Sequence, residues 1–149
     1  MYSRIRHPET CRISLSLGDW IIVKKHLTAG ETRAIWSRMV TRLEDGTERV
    51  RSSMVGLAKM AVYLVDWSIV DADGNSVIIR NQSEDYIAST LDTLDIDSFS
   101  EIHQAIETHE AAMEAVRAEE KKILAGSIPS NPILPSLAPS DGDTNGYPN

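Results

Sequence analysis

From Arg12 to Leu17 apolar and polar residues alternate, with Ile13, Leu15 and Leu17 on one side and Arg12, Ser14 and Ser16 on the other, the period of a half-buried strand. Gly18 and Asp19 interrupt the alternation and a second short apolar run follows from Trp20 to Val23, so a strand pair is expected within residues 11–24. Thr28-Ala-Gly-Glu31 has the spacing of a capping box, in which a hydroxyl covers one free amide of the first turn while a carboxylate three residues on covers another. A helix is predicted from there to about residue 42, burying Ala34, Ile35 and Met39 with Trp36 beside them, before the turn residues Glu44-Asp45-Gly46. Residues 50–66 are apolar on two faces: Met54, Leu57, Ala61 and Leu64 form one stripe, and Val55, Ala58, Val62 and Val65 form its neighbour. A helix of this kind belongs at the centre of a core, because a surface helix has one apolar stripe. Gly56 and the alanines allow a neighbouring helix to approach closely.

Asp71-Ala-Asp73-Gly74-Asn75 carries strong turn chemistry between Trp67, Ile69, Val70 and Val77, Ile78, Ile79, which predicts a small hairpin across 67–80. Ser83 caps a short helix expected to end near Leu94. Asp97 is read as the cap of the last and longest helix, about 97–124, where Phe99, Ile102, Ile106, His109, Met113, Val116, Glu120 and Ile123 recur at alternating steps of three and four. The expected fold is therefore α+β and helix-dominated: a short N-terminal strand pair, a central buried helix, a small hairpin and a long C-terminal amphipathic helix, forming one domain over residues 1–125. The remainder, 126–149, holds five of the six prolines and three of the eight glycines, a composition too poor in apolar surface to offset the entropy of ordering it, and is expected to be a disordered tail. Its apolar beads Ile128, Ile133, Leu134 and Leu137 are spaced by prolines and suit docking to a partner.

Composition narrows the function. At 149 residues, with 42% apolar and 25% charged residues, the chain has the make-up of one globular domain. The single cysteine, Cys11, excludes an internal disulfide and a thiolate zinc cage, which points to a reducing compartment. No apolar run approaches the length of a membrane span, and the N-terminus lacks a signal-peptide pattern, so a soluble cytoplasmic protein is expected. The net charge of −7 is polarised: residues 1–53 carry ten Lys/Arg against six Asp/Glu, a net of +4, and residues 54–149 carry five against sixteen, a net of −11. An acidic majority repels phosphate backbones, so nucleic acid is not an expected partner.

Catalytic and metal-binding chemistry finds little footing. His103 and His109 are six apart, whereas two ligands on one helix face need a spacing of three or four. Cys11 has His7 four residues away, an arrangement that fixes no base for a thiolate nucleophile, and an ordinary half-buried cysteine is the expectation. In the acidic turn at 71–75 the glycine falls fourth instead of sixth and position 82 is glutamine, so the calcium-loop pattern fails. G-x-G-x-x-G, P-loop and G-x-S-x-G motifs are all lacking. No metal, cofactor or small-molecule substrate is expected, and no enzyme. What remains is an amphipathic helix, a polarised surface and a bead-bearing tail, all means of binding proteins.

The runs GDWIIVKKHLTAGE, MAVYLVDWSIVDADGNSV and LDTLDIDSFSEIHQAIETHEAAMEAVRAEEKK, in that order, resemble the small tail assembly proteins of long-tailed bacteriophages known as tail assembly chaperones. The likeness covers about residues 18–122 and rests on an order of features, with no catalytic signature. It implies a non-enzymatic role during virion morphogenesis in the bacterial host cytoplasm: coating the tape measure protein, recruiting tail tube subunits to it, and being absent from the finished particle. The family also implies a second, longer product made by ribosomal frameshifting. The alternative is a structural virion component, a minor tail or head–tail protein retained in the particle. Partner contact is assigned to the seam Ile102, Ile106, Met113 and Val116, with Lys24, Lys25 and Arg33 as a basic patch. The same seam packing on the protein's own core is the competing reading, and the seam also leaves room for self-association.

Overall fold

The computed structural model describes residues 4–5 and 7–126. The expected tail over 127–149 lies outside the described residues, whereas Gly126, assigned to that tail from sequence, is the last residue of a helix. The architecture is the expected helix-dominated α+β: in chain order β1 (Thr10–Ser14), β2 (Trp20–Lys24), α1 (Ala29–Met39), β3 (Val40–Arg42), β4 (Glu48–Val50), α2 (Val55–Tyr63), β5 (Leu64–Trp67), α3 (Glu84–Leu91) and α4 (Ile96–Gly126). The strand pair forms as predicted, with Cys11 opposite Val23 and Ile13 opposite Ile21 in an antiparallel ladder. Its turn is tight, and Leu17 sits in the left-handed region at φ 58° just before Gly18 at φ 81°.

Residues 50–66 divide differently from the expectation. The buried helix α2 covers only Val55–Tyr63, and the chain then straightens into β5, which pairs antiparallel with β2 and completes a three-stranded sheet in the order β1-β2-β5. Val65 and Trp67 favour a strand, and pairing with β2, which buries Leu64 and Trp67, outweighs the helical stripe that Leu64 and Val65 continue in sequence. The two stripes of α2 nonetheless face two separate clusters, as a central helix requires. Leu57, Met60 and Ala61 join Ile21, Val23, Trp67, Ile79, Leu91, Ile102 and Ile106, while Ala58 and Val62 meet Ile35 and Met39 of α1.

Three boundaries move as well. Helix α1 stops at Met39, and Val40–Arg42 pairs with Glu48–Val50 in a small separate hairpin, closed by a turn with Gly46 at φ 83°. The predicted hairpin across 67–80 reduces to a turn at 71–75 with one isolated bridge, Val70 to Ser76, because Trp67 belongs to the main sheet. The cap of α4 is Asp95 instead of Asp97: its carboxylate accepts from the amides of Asp97 and Ser98 at 3.1 and 2.9 Å. The capping box predicted at the start of α1 forms: the Thr28 hydroxyl accepts from the Glu31 amide at 3.2 Å and the Glu31 carboxylate accepts from the Thr28 amide at 2.8 Å.

Helix α4 runs about 46 Å, at 1.5 Å per residue, and only its first half is packed. Ile102 and Ile106 are 1% and 0% exposed, and Gly56 lets α4 lie close, a Cβ at that position falling 3.1 Å from His103 Nε2. Glu101 ties the helix to the β1–β2 turn by accepting from the Ser16 amide and hydroxyl at 2.6 and 2.9 Å. Beyond Glu110 the helix stands clear of the core except at Met113.

Candidate functional site

The free half of α4 bounds a groove of about 470 Å³. One wall is the face of α1 that carries Thr32, Ile35, Trp36 and Met39; the opposite wall is α4 from Glu110 through Met113 and Glu114 to Arg117. Lys59 and Tyr63 of α2 form its base, and the connection from β2 to α1, Lys25 to Leu27, closes one end. Trp36, expected beside the buried residues of α1, instead stands 55% exposed at the rim. Its i, i+3 partner Met39 is buried, so the apolar stripe of α1 is half used by the core and half left to the groove.

Charge at the base is organised around Lys59. Its ammonium donates to Glu107 at 2.7 Å and to Glu110 at 3.3 Å. Burial pulls the Lys59 ammonium down, but its hydrogen bond to Glu107 and the charge of Glu110 outweigh it and hold the group above its ordinary range. The hydrogen bond to Lys59 correspondingly holds the Glu107 carboxyl below the usual carboxylate range. Burial, and after it the Glu110 carboxylate, push the Tyr63 hydroxyl far above its ordinary range.

Behind this base lies a connection that spacing along the chain does not reveal. Cys11 lies 3.5 Å from His109 Nδ1, and His109 Nε2 lies 3.0 Å from the Lys24 carbonyl oxygen. A carbonyl only accepts, so Nε2 carries the proton and donates, which leaves Nδ1 to accept from the Cys11 thiol. Burial pushes that thiol above its ordinary range, with Lys25 opposing in part, so the sulfur is held as a neutral donor and not as a thiolate. The imidazole stands edge-on to Tyr63 at 6.1 Å between ring centres. His109, placed in the seam as a polar interruption, is thus buried with both ring nitrogens engaged and fastens α4 to β1 and β2.

No family model, curated protein or solved structure matches this chain.

The residues assigned to partner contact separate into groups. Ile102 and Ile106 lie inside the chain's own core and present no surface to a partner; the seam was continuous in sequence, but the fold covers its first half. Met113 lines the groove and Val116, 50% exposed, continues the apolar stripe toward Ile123 and Leu124, 66% and 43% exposed. The basic patch does not assemble. Lys24 pairs with Glu31 at 2.7 Å and Lys25 with Glu9 at 3.3 Å, while Arg33 is exposed on α1 away from the groove lining. The residues that sequence missed are Trp36 and Tyr63, and the exposed tryptophan's only signal was its place at the edge of the α1 stripe. Among the described residues no group of His, Cys, Asp and Glu is disposed to hold a metal ion, and no helix is long and apolar enough to cross a membrane.

Proposed function

We propose that this protein is a tail assembly chaperone of a long-tailed bacteriophage, acting without catalysis in the host cytoplasm. It covers an apolar helical stripe of the tape measure protein and brings tail tube subunits to it. The identification rests on the order of features over residues 18–122. The observation that carries the mode of action is that α4 leaves the core at midlength with Val116 and Ile123 of its apolar stripe at least half exposed, beside a groove rimmed by Trp36. A long helical partner with apolar stripes aggregates when bare, and an amphipathic helix with an adjoining groove is a surface that covers such a stripe. The carboxylates of α4 outside the seam, Glu107, Glu110, Glu114 and Glu119, keep the free chaperone from self-aggregating and select a basic partner face.

Co-expression with the neighbouring tape measure gene tests this. The tape measure protein is expected in the soluble fraction with the wild-type chain and in the pellet with Trp36→Asp, a substitution at a half-exposed position that leaves the core intact. Tape measure solubility that is indifferent to the presence of this protein sinks the proposal. Mass spectrometry of purified virions separates the rival reading, because a stoichiometric copy number in the particle belongs to a structural component.

A further inference from the structure

We propose that the protein forms a two-fold dimer through the pole at which α2 and α4 begin, where an arginine-bearing pocket of one copy receives the acidic corner around Ile96 of the other, and the reverse. This surface lies at the opposite end of α4 from Val116 and Ile123, so the inference does not rest on the groove or on the partner that takes it.

The pocket is built on the β3–β4 hairpin. Thr41 faces Arg49 across the ladder, and alternation puts Leu43 and Arg51 on the same face of the hairpin as these two. Arg51 is still in extended backbone before the chain turns into Ser52 and Ser53. Together these residues enclose about 330 Å³, with no carboxylate in the lining. Leu43 and Val50 stand 44% and 53% exposed there. Arg38 is engaged by Glu84 and Asp85, and Arg80 by Asp66, whereas Arg49 and Arg51 form no ion pair among the described residues. A guanidinium only donates, and its fork matches a carboxylate, so carboxylates beside an apolar side chain are the chemistry that fits this pocket.

The corner between α3 and α4 carries that chemistry. Residues 92–101 hold Asp92, Asp95, Asp97 and Glu101 and neither lysine nor arginine. Asp95 caps α4 and Glu101 holds Ser16, but Asp92 and Asp97 are exposed and form no ion pair among the described residues. Between them Ile96 is 74% exposed. An apolar knob flanked by two free carboxylates thus answers an apolar pocket flanked by two free guanidinium groups, the arrangement of apolar centre and charged rim that specific interfaces share.

Both features lie at one pole. Helices α2 and α4 run side by side in the same direction, since Gly56 lies against His103 and Lys59 pairs with Glu107 and Glu110. Ser53 precedes Gly56 by three residues and Ile96 precedes His103 by seven, about 5 and 10 Å back along the two axes, so pocket and corner both project past the start of the helix pair. A two-fold contact requires a surface that complements itself, which a basic pocket and an acidic knob on the same pole provide; on opposite poles they would build an open chain.

Sedimentation equilibrium of the full chain between about 10 μM and 1 mM tests this. A dimer with no larger species is expected, and screening of the charges is expected to raise its dissociation constant about tenfold or more between about 0.05 and 0.5 M NaCl. Arg49→Glu with Arg51→Glu, and separately Asp92→Lys with Asp97→Lys, alter exposed side chains outside the core, and each pair is expected to weaken the dimer about tenfold or more with an unchanged far-UV circular dichroism spectrum. Ile96→Ser, which leaves every charge in place, is expected to weaken it as well. An equimolar mixture of the two charge variants is expected to dimerise again, because one contact then has wild-type residues on both sides and the other has both charges reversed. A wild-type chain that stays monomeric at about 1 mM overturns the proposal. So does a dimer indifferent to both charge variants, which assigns the contact to the free half of α4, a mixture that stays monomeric, or a mass that climbs past the dimer with concentration. No arm contains the tape measure protein, so a failure here leaves the co-expression result standing on its own.

Discussion

Helix α4 belongs to the protein's own core up to His109 and to the outside beyond it, and truncating one isoleucine on each side measures that division. Ile106 is 0% exposed within the main cluster, and Ile106→Ala removes three carbons from a packed site. At about 0.8 kcal/mol per buried methylene the transfer loss is about 2.4 kcal/mol, and the cavity left behind raises the expected cost to about 3–4 kcal/mol. For a domain of this size that is a drop in melting temperature of about 10 °C or more. Ile123, 66% exposed on the same seam, loses almost no buried surface, and Ile123→Ala is expected to change stability by less than about 0.5 kcal/mol. Urea unfolding followed by far-UV circular dichroism reads both, with unchanged slopes confirming that only stability moved. Equal costs at the two positions, or a cost below about 1 kcal/mol at Ile106, refute the division of the helix into a home half and a free half.

Three further outcomes follow from the same geometry. Glu107 is held below its ordinary value of 4.5 by Lys59, so its contribution to stability is present above about pH 4.5 and is lost as pH falls through the lower folded value; Glu107→Gln is expected to flatten that acid limb in urea midpoints taken from neutral to acidic pH. Leu17 is 99% exposed at φ 58°, a backbone conformation that disfavours leucine while its side chain makes no contact worth keeping. Leu17→Asn is expected to stabilise by about 0.5–1 kcal/mol in thermal melts, and a loss of stability contradicts the strain argument. Thr28→Ala removes one half of the reciprocal cap of α1 and is expected to cost about 1 kcal/mol by chemical denaturation, with Thr28→Ser restoring most of it.

Local chemistry in this chain is written where the interacting groups are neighbours in sequence. The alternation from Arg12 to Leu15, the Thr28–Glu31 box, the Ser83 cap and the two apolar stripes of α2 all involve residues no more than about four apart, or one face of a single element, and all appear in the fold, whereas Leu17, expected on the buried side of the strand, stands 99% exposed in the turn. Even there, competition between nearby options misled: Asp95 took the cap expected of Asp97, and Val40–Arg42 left the helix for a hairpin.

Everything that depended on which surface meets which was decided by the tertiary structure. A heptad seam specifies that one stripe of α4 is apolar, but not how much of it a neighbour will cover; the shortness of α2 and its turn into β5 end the core near His109 and leave Val116, Ile123 and Leu124 outside. Ninety-eight residues separate Cys11 from His109, and no periodicity reports a contact over that span. The groove has the same origin. Trp36, Tyr63 and Met113 sit on three different helices, and only the packing of α1 and α4 on opposite sides of α2 brings them to one surface. Sequence fixes the polarity of each element because hydrophobic period is a local property, whereas the burial of a given side chain is a property of its neighbours in space.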